Sequence, residues 1–163
     1  MLRVLIADDE SKVCQLIEKL VDWDVLGMEV VAVAENGIEA LEKIKEFYPD
    51  IVITDIRMPG YDGLDLIRLG KEEAPKAEFV IISGYRHFEY AQMAIRYGVN
   101  AYLLKPIRKD ELTETLKRLS AHFKEQTEQL SLEEKRQRAI RSDEKNLRQA
   151  FLQDLVGRRN KEV

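Results

Sequence analysis

The chain has 163 residues, 45% of them hydrophobic, with 26 Lys and Arg against 30 Asp and Glu for a formal net charge of −4. That length holds one domain with a substantial core plus an extension. The single cysteine, Cys14, excludes an intramolecular disulfide framework and a thiolate metal cluster, and no apolar run is long enough to span a bilayer.

The charge is unevenly spread. Residues 121–163 hold ten Lys and Arg against eight Asp and Glu, which leaves residues 1–120 with an excess of six acidic groups. An acidic domain is a poor candidate for direct nucleic-acid binding. The tail mixes both signs and reads as a solvated helix face. The first apolar run meets Asp8-Asp9-Glu10 too early for a signal peptide. The expectation is a cytoplasmic chain without membrane contact.

Five apolar runs alternate with helical spacing. Val4–Ala7 is the first strand, and Val13, Leu16, Ile17 and Leu20 follow at helical intervals, with Asp8 or Asp9 as N-cap. Cys14 falls in that pattern and reads as a small packing residue. Val21–Gly27 is a connection whose Trp23 plugs the end of the core. Val30–Ala34 is the second strand. Asn36-Gly37 opens a helix carrying Ala40, Leu41 and Ile44 that stops before Pro49. Ile51–Ile53 is a buried third strand. A third helix around Leu64 and Ile67 ends before Pro75. Phe79–Ile82 is the fourth strand, the fourth helix runs over Arg86–Tyr97 with Gly98 past its end, and Ala101–Leu104 is the fifth strand. A last helix starts near Arg108. The pattern is (βα)5. Its β-branched, nearly continuous strands predict a parallel sheet covered on both faces, an α/β flavodoxin-like three-layer sandwich in the order 2-1-3-4-5 with a long C-terminal helical extension.

In such sheets ligands bind at the carboxyl ends of the strands. Strand one delivers Asp8, Asp9 and Glu10 there, strand three Asp55, strand four Ser83 and strand five Lys105. Close carboxylates repel one another in a poorly solvated site, and a hard divalent cation such as Mg2+ is the usual remedy. A carboxylate can also attack phosphorus to give an acyl phosphate, and phosphoryl transfer then needs chiefly positioning and charge neutralisation. Mg2+, the Lys105 ammonium and the Ser83 hydroxyl would supply that. Taken singly, each group has a plainer reading. The Asp pair caps a helix, Ser83-Gly84 is a turn, Asp55 and Lys105 are surface charges, and Lys105-Pro106 marks a tight exit with a cis or a trans bond. Four polar strand ends on one rim favour the joint reading.

On Asp8-Asp9-Glu10, Asp55 with Met58-Pro59-Gly60 and Asp62-Gly63, Ser83-Gly84, Tyr102 and Lys105-Pro106, residues 1–120 resemble the receiver domain of two-component response regulators. Asp22-Trp23, Asn36-Gly37, the run Pro49–Pro59, Ser83-Gly84-Tyr85, Phe88-Glu89-Tyr90-Ala91 and Tyr102–Pro106 are similar to the YesN/AraC-type subfamily. The resemblance implies Asp55 as phosphoacceptor. It also implies Asp8, Asp9, Asp55 and the Arg57 carbonyl as Mg2+ ligands, Lys105 as the phosphate-binding lysine, and Ser83 and Tyr102 as the switch pair. A sensor histidine kinase is the implied donor. The output would be transcription through a DNA-binding helix-turn-helix domain absent from this chain, and the domain would be a phosphoacceptor rather than an enzyme.

Tyr85, Phe88, Tyr90, Tyr97 and Tyr102 are five of the twelve aromatic residues and surround the fourth helix. They read as core packing or as a partner face. The expected division is a receiver domain over 1–121 and a helical linker over 122–163. From Leu112, positions 112, 116, 119, 123, 126, 130, 133, 137, 140, 144, 147 and 151 keep 4-3 spacing, with apolar ends and a polar middle. One helix over Asp110–Val156 would run ~70 Å. Its first three positions would pack on the receiver and the rest would pair with a second copy as a coiled coil, giving a homodimer through this helix, the fourth-helix face or both. The plainer reading is a single solvated helix, with a break at Ser131 where Ser131-Leu132-Glu133-Glu134 resembles a capping box. Two other functional readings stand beside the main one. A receiver scaffold serving only protein interaction is one. An Asp-nucleophile phosphatase is the other, although Arg57 stands where such an enzyme places its second aspartate.

Overall fold

In the computed structural model, the chain forms β1 (Leu2–Ala7), α1 (Ser11–Leu20), α2 (Trp23–Leu26), β2 (Met28–Ala34), α3 (Gly37–Phe47), β3 (Ile51–Thr54), α4 (Gly63–Glu73), β4 (Glu78–Ser83), α5 (Phe88–Arg96), β5 (Ala101–Leu104) and α6 (Lys109–Lys161). The structure describes the backbone of residues 1–84 and 88–161, and side chains other than those of Phe88, 142–147 and 149–161. All strand pairs are parallel and the sheet order is β2-β1-β3-β4-β5, as the alternating pattern predicts. The chain divides into two compact units, Met1–Ser120 and Ala121–Val163.

Strand position explains strand sequence. Every residue of β3 and β4 is buried, so both faces carry apolar side chains and the runs read continuously hydrophobic. The edge strands β2 and β5 are only partly covered. The core joins Leu5, Val52, Phe79 and Ile81 of the sheet to Ala40 and Ile44 of α3, Leu66 and Ile67 of α4, and Ala94 of α5. Leu112, Leu116 and Leu119 of α6 are buried in the first unit, whereas Leu130, Leu132 and Ile140 of the second are exposed. The helix runs unbroken through Ser131, so the capping box there does not end it.

Helix ends follow local chemistry. The Asn36 side chain accepts from the Glu39 amide and caps α3, and Asp62 does the same for α4 through the Asp65 amide. Tyr48, at φ 46, and Gly98, at φ 80, close α3 and α5 in the left-handed region. Helix α1 differs from expectation. Its N-cap is Glu10, without a side-chain cap bond, so neither Asp8 nor Asp9 is used that way. Burial draws Asp8 into the sheet edge instead. The 21–27 connection contains the single turn α2. Its Trp23 is half-buried and donates from Nε1 to the Glu18 carbonyl at 3.0 Å, so it braces α1 rather than plugging the core. The expected start of the fourth helix at Arg86 lies outside the described residues. The Lys105-Pro106 bond is cis.

Candidate functional site

Sheet order decides what meets at the carboxyl edge. β1 and β3 are neighbours in the register Ala7 to Thr54, so the next residues, Asp8 and Asp55, leave the sheet side by side. The Asp55 amide donates to the Ala7 carbonyl at 3.0 Å, and the Asp8 amide to the Ala34 carbonyl at 3.1 Å. On the other side β4 carries Ser83, and the Lys105 amide donates to the Ser83 carbonyl at 2.8 Å, which sets the lysine over the same rim.

The lysine closes the group. Its Nζ lies 3.1 Å from Asp8 Oδ2 and 3.3 Å from Asp55 Oδ2. The remaining oxygens are held by backbone: Asp8 Oδ1 accepts from the Glu10 amide at 2.9 Å and Asp55 Oδ1 from the Ile56 amide at 2.7 Å. Asp8 and Asp55 are buried and Asp9 is exposed, and one carboxylate oxygen of each lies within 4.8 Å of the others. Burial pushes the Asp55 carboxyl above its usual range, with the Asp9 charge adding to the effect and Lys105 and the Ile56 amide opposing it. Burial also raises Asp8, and the Asp55 charge adds to it. For Lys105 burial works downward, but Asp55 and Asp8 outweigh it and hold the ammonium above its ordinary pKa.

Charge arithmetic shows what the site lacks. Three carboxylates face one ammonium, so two negative charges stand uncompensated around a buried pair. An all-oxygen donor set with that deficit fits a hard divalent cation.

The loop between β3 and α4 is moulded by close backbone contacts. The Gly37 amide donates to the Pro59 carbonyl at 3.1 Å, and a Cβ on Gly37 would stand 1.8 Å from the Tyr61 carbonyl oxygen. The Gly63 amide donates to the Ile56 carbonyl at 2.6 Å. Ile56 and Met58 are buried while Arg57 between them is exposed. The loop is thereby pinned on both sides of the Arg57 backbone.

Ser83 is fully buried. Burial raises the Tyr102 phenol, and the Ser83 side chain opposes that rise. Of the five aromatics around α5, Tyr90, Tyr97 and Tyr102 are partly buried and packed against the core, which is the plainer of the two sequence readings for them. Tyr85 and the Phe88 side chain lie outside the described residues. Met93 and Ile95 are the exposed apolar residues of α5 among those described.

Sequence reasoning missed one contact at the site. Arg57 Nη2 donates to the Tyr90 hydroxyl at 2.9 Å, and the guanidinium lies 5.7 Å from the centre of the Tyr90 ring. The available signal was a cation two residues beyond Asp55 and an aromatic cluster thirty residues later, with no periodicity to connect them.

Residues 4–117 match the family described as the response regulator receiver domain. The chain belongs to that family. It is the receiver domain of a two-component response regulator, continued by a long helix. This receiver is 41% identical over 126 residues to the uncharacterized transcriptional regulatory protein YesN of Bacillus subtilis, which covers 77% of this chain and 34% of the relative. It is 36% identical over 129 residues to the transcriptional regulatory protein HptR of Staphylococcus aureus, covering 79% and 50%. Among solved structures, the REC domain of AraT, a response regulator from Geobacillus stearothermophilus, superposes with a TM-score of 0.74 at 40% identity, covering 77% of this chain and 98% of that one. The chain spans half the length or less of these two curated relatives. Among the described residues, no helix is long and apolar enough to cross a membrane.

Proposed function

We propose that this receiver accepts a phosphoryl group on Asp55 from a sensor histidine kinase and passes the change to a DNA-binding domain outside the chain, so regulating transcription. The observation that carries the reading is the Lys105 ammonium set between two buried carboxylates, with a third beside them. Asp8, Asp9, Asp55 and the Arg57 carbonyl would hold Mg2+, which would supply neutralisation of a phosphoryl oxygen in transfer. Every other part of the work falls to side chains and amides of this chain.

A carboxylate oxygen of Asp55 attacks the phosphorus of a phosphohistidine. The P–N bond breaks, its electron pair returns to the imidazole, which takes up a proton, and the new P–O bond is an acyl phosphate. The Ile56 amide orients the carboxylate. Lys105 exchanges its contact with Asp55 for a phosphoryl oxygen, and the Ser83 hydroxyl turns to another. Because the Ser83 side chain acts on the Tyr102 phenol, that turn changes the setting of Tyr102, and the receiver shifts toward an active population. No substrate is turned over, so the domain acts as a reversible acceptor rather than an enzyme.

The second unit is a helical linker that pairs with a second copy as a coiled coil, and its 4-3 spacing supports this. The test of the acceptor is incubation with phosphoramidate and MgCl2, followed by mass and gel-shift analysis. One phosphoryl group per chain, absent in Asp55→Asn, is the expected result. Rapid release of many equivalents of phosphate would instead mark a phosphatase, and no incorporation would leave a pure interaction module.

A further inference from the structure

We infer that the second unit pairs antiparallel with a second copy of itself, with residue 135 at the centre of the paired segment. The inference rests on the coiled-coil reading of that unit and adds its sense and its register.

The helix offers an open face. From Lys124 to Arg141 every residue is exposed, the seam residues Gln126, Leu130, Glu133, Gln137 and Ile140 among them. Most helical stability in proteins comes from packing an apolar stripe, and this stretch packs none of its own. A second copy laid along the seam would cover Leu130 and Ile140.

The order of the seam residues chooses the sense. It runs Phe123, Gln126, Leu130, Glu133, then Gln137, Ile140, Glu144, Leu147. The last two enter by sequence and by the register of the helix backbone. Apolar and polar positions mirror one another about residue 135. In a parallel pair each position meets its own copy, which sets Glu133 against the partner's Glu133 and Glu144 against the partner's Glu144 inside the seam. In an antiparallel pair centred on 135, Phe123 meets Leu147, Gln126 meets Glu144, Leu130 meets Ile140 and Glu133 meets Gln137. Apolar then faces apolar, and no carboxylate faces another. A shift of one heptad spoils the match in either direction. One shift sets Leu130 against Glu133, and the other sets Glu133 against Glu144.

The charges flanking the seam make the same choice. Residues 121–134 hold one lysine against four glutamates, a formal charge of −3. Residues 136–149 hold five Lys and Arg against Asp143 and Glu144, a formal charge of +3. An antiparallel pair lays each half on its opposite, whereas a parallel pair lays like on like. At the centre, Gln137 Nε2 already donates to Glu133 Oε1 at 3.2 Å within one helix. An amide NH2 has two donors and a carboxylate has two accepting oxygens. Each Gln137 thus keeps one N–H, and each Glu133 one oxygen, for the partner. Two helices close a four-residue polar ring that fixes the register. Pairing in this sense lays position 149 of each helix beside position 121 of its partner, so a segment continuing past one helix emerges beside the start of the partner's second unit.

The test is disulfide trapping in the full chain. Cys14 is buried and its thiol is pushed up to about 11, so it stays out of the reaction. Leu130→Cys and Ile140→Cys chains are prepared separately, mixed, left to exchange partners and oxidised with copper phenanthroline. Covalent dimer is expected in the mixture. Either variant alone is expected to give less than about a tenth as much, because two copies of one position stand about 15 Å apart along the axis, beyond disulfide reach. Sedimentation equilibrium of chains without added cysteines gives a second reading. Raising NaCl from about 0.05 M to about 0.5 M is expected to raise the dissociation constant of the dimer about fivefold, because it screens the opposed halves. Glu133→Gln is also expected to raise it about fivefold, by replacing charge-assisted bonds with neutral ones. Cross-linking within either variant alone, none in the mixture, or a dimer tightened by salt or by Glu133→Gln would overturn the antiparallel register and leave pairing itself standing. A wild-type chain that sediments at the single mass with and without a phosphoryl group would overturn pairing and the register with it.

Discussion

At the scale of single residues the site holds its charges at a cost to stability. Burial raises Asp55 and Asp8 above the usual carboxylate range, so the folded state binds protons there more tightly than the unfolded chain does. The sign comes from linkage: stability contributed by these groups is present at low pH and lost as pH rises through their raised pKa values, from about pH 4 upward. Removing the Asp55 charge should therefore stabilise the metal-free fold. In EDTA at pH 7, Asp55→Asn is expected to exceed the wild type by about 1 kcal/mol, or roughly 3 °C in Tm, the size of gain common when a functional site is relieved. The gap should close toward pH 4, and Mg2+ should narrow it at neutral pH. Urea titrations of both proteins across that range check it, and a gap that widens on acidification would refute the argument. The groups involved were legible in the sequence because each is the first residue past a strand, where an apolar run stops abruptly. What the sequence did not carry was their division of labour. Asp8 looks like a helix cap by position and becomes a buried partner of Lys105 only because β1 is flanked on both sides. The Arg57–Tyr90 contact is invisible for a related reason: two half-solvated side chains 33 positions apart leave no pattern.

At the scale of elements the strands were the most readable part, since β3 and β4 are covered on both faces and must be apolar throughout. The sheet order then came from short right-handed crossovers. The four-residue α2 escaped because one helical turn has no periodicity to detect, and Trp23 suggested burial where it makes an edge brace. The loop after β3 is an element of its own kind, with little internal hydrogen bonding and a shape imposed by α3. Gly37 is the contact that imposes it, since any side chain there meets the Tyr61 carbonyl. In Gly37→Ala the loop or the start of α3 must move, at a cost of about 1–3 kcal/mol typical of overpacking. If the Arg57 carbonyl serves Mg2+, the same displacement weakens Mg2+ binding. Calorimetric titration with MgCl2 alongside urea melts separates the two effects. The expected outcome is a loss of affinity of about tenfold in protein that remains folded, and unchanged affinity would detach the loop from the metal site.

At the scale of the whole molecule the question is what the second unit does with its seam. Phe123, Gln126, Leu130, Glu133, Gln137 and Ile140 continue the spacing of the buried Leu112, Leu116 and Leu119, yet Leu130 and Ile140 are 56% and 47% exposed. Two polar seam residues are already bonded to each other along the helix, with Gln137 Nε2 donating to Glu133 Oε1 at 3.2 Å. They can set register but add little adhesion, so the apolar positions must supply the association. A lysine at such a position places a charge in the seam, whereas on a solvated single helix it changes stability by only about 0.5 kcal/mol. Leu130→Lys with Ile140→Lys thus separates the pairing reading from the solvated-helix reading. In sedimentation equilibrium the wild type is expected near twice 18.9 kDa and the double variant near 18.9 kDa. Uptake of one phosphoryl group by Asp55 should persist in the variant, because the residues that carry it all lie before Ser120. A wild-type chain that sediments at the single mass in its phosphorylated and unphosphorylated states would refute pairing and leave the helix as a spacer, contributing to signalling only through its length and stiffness.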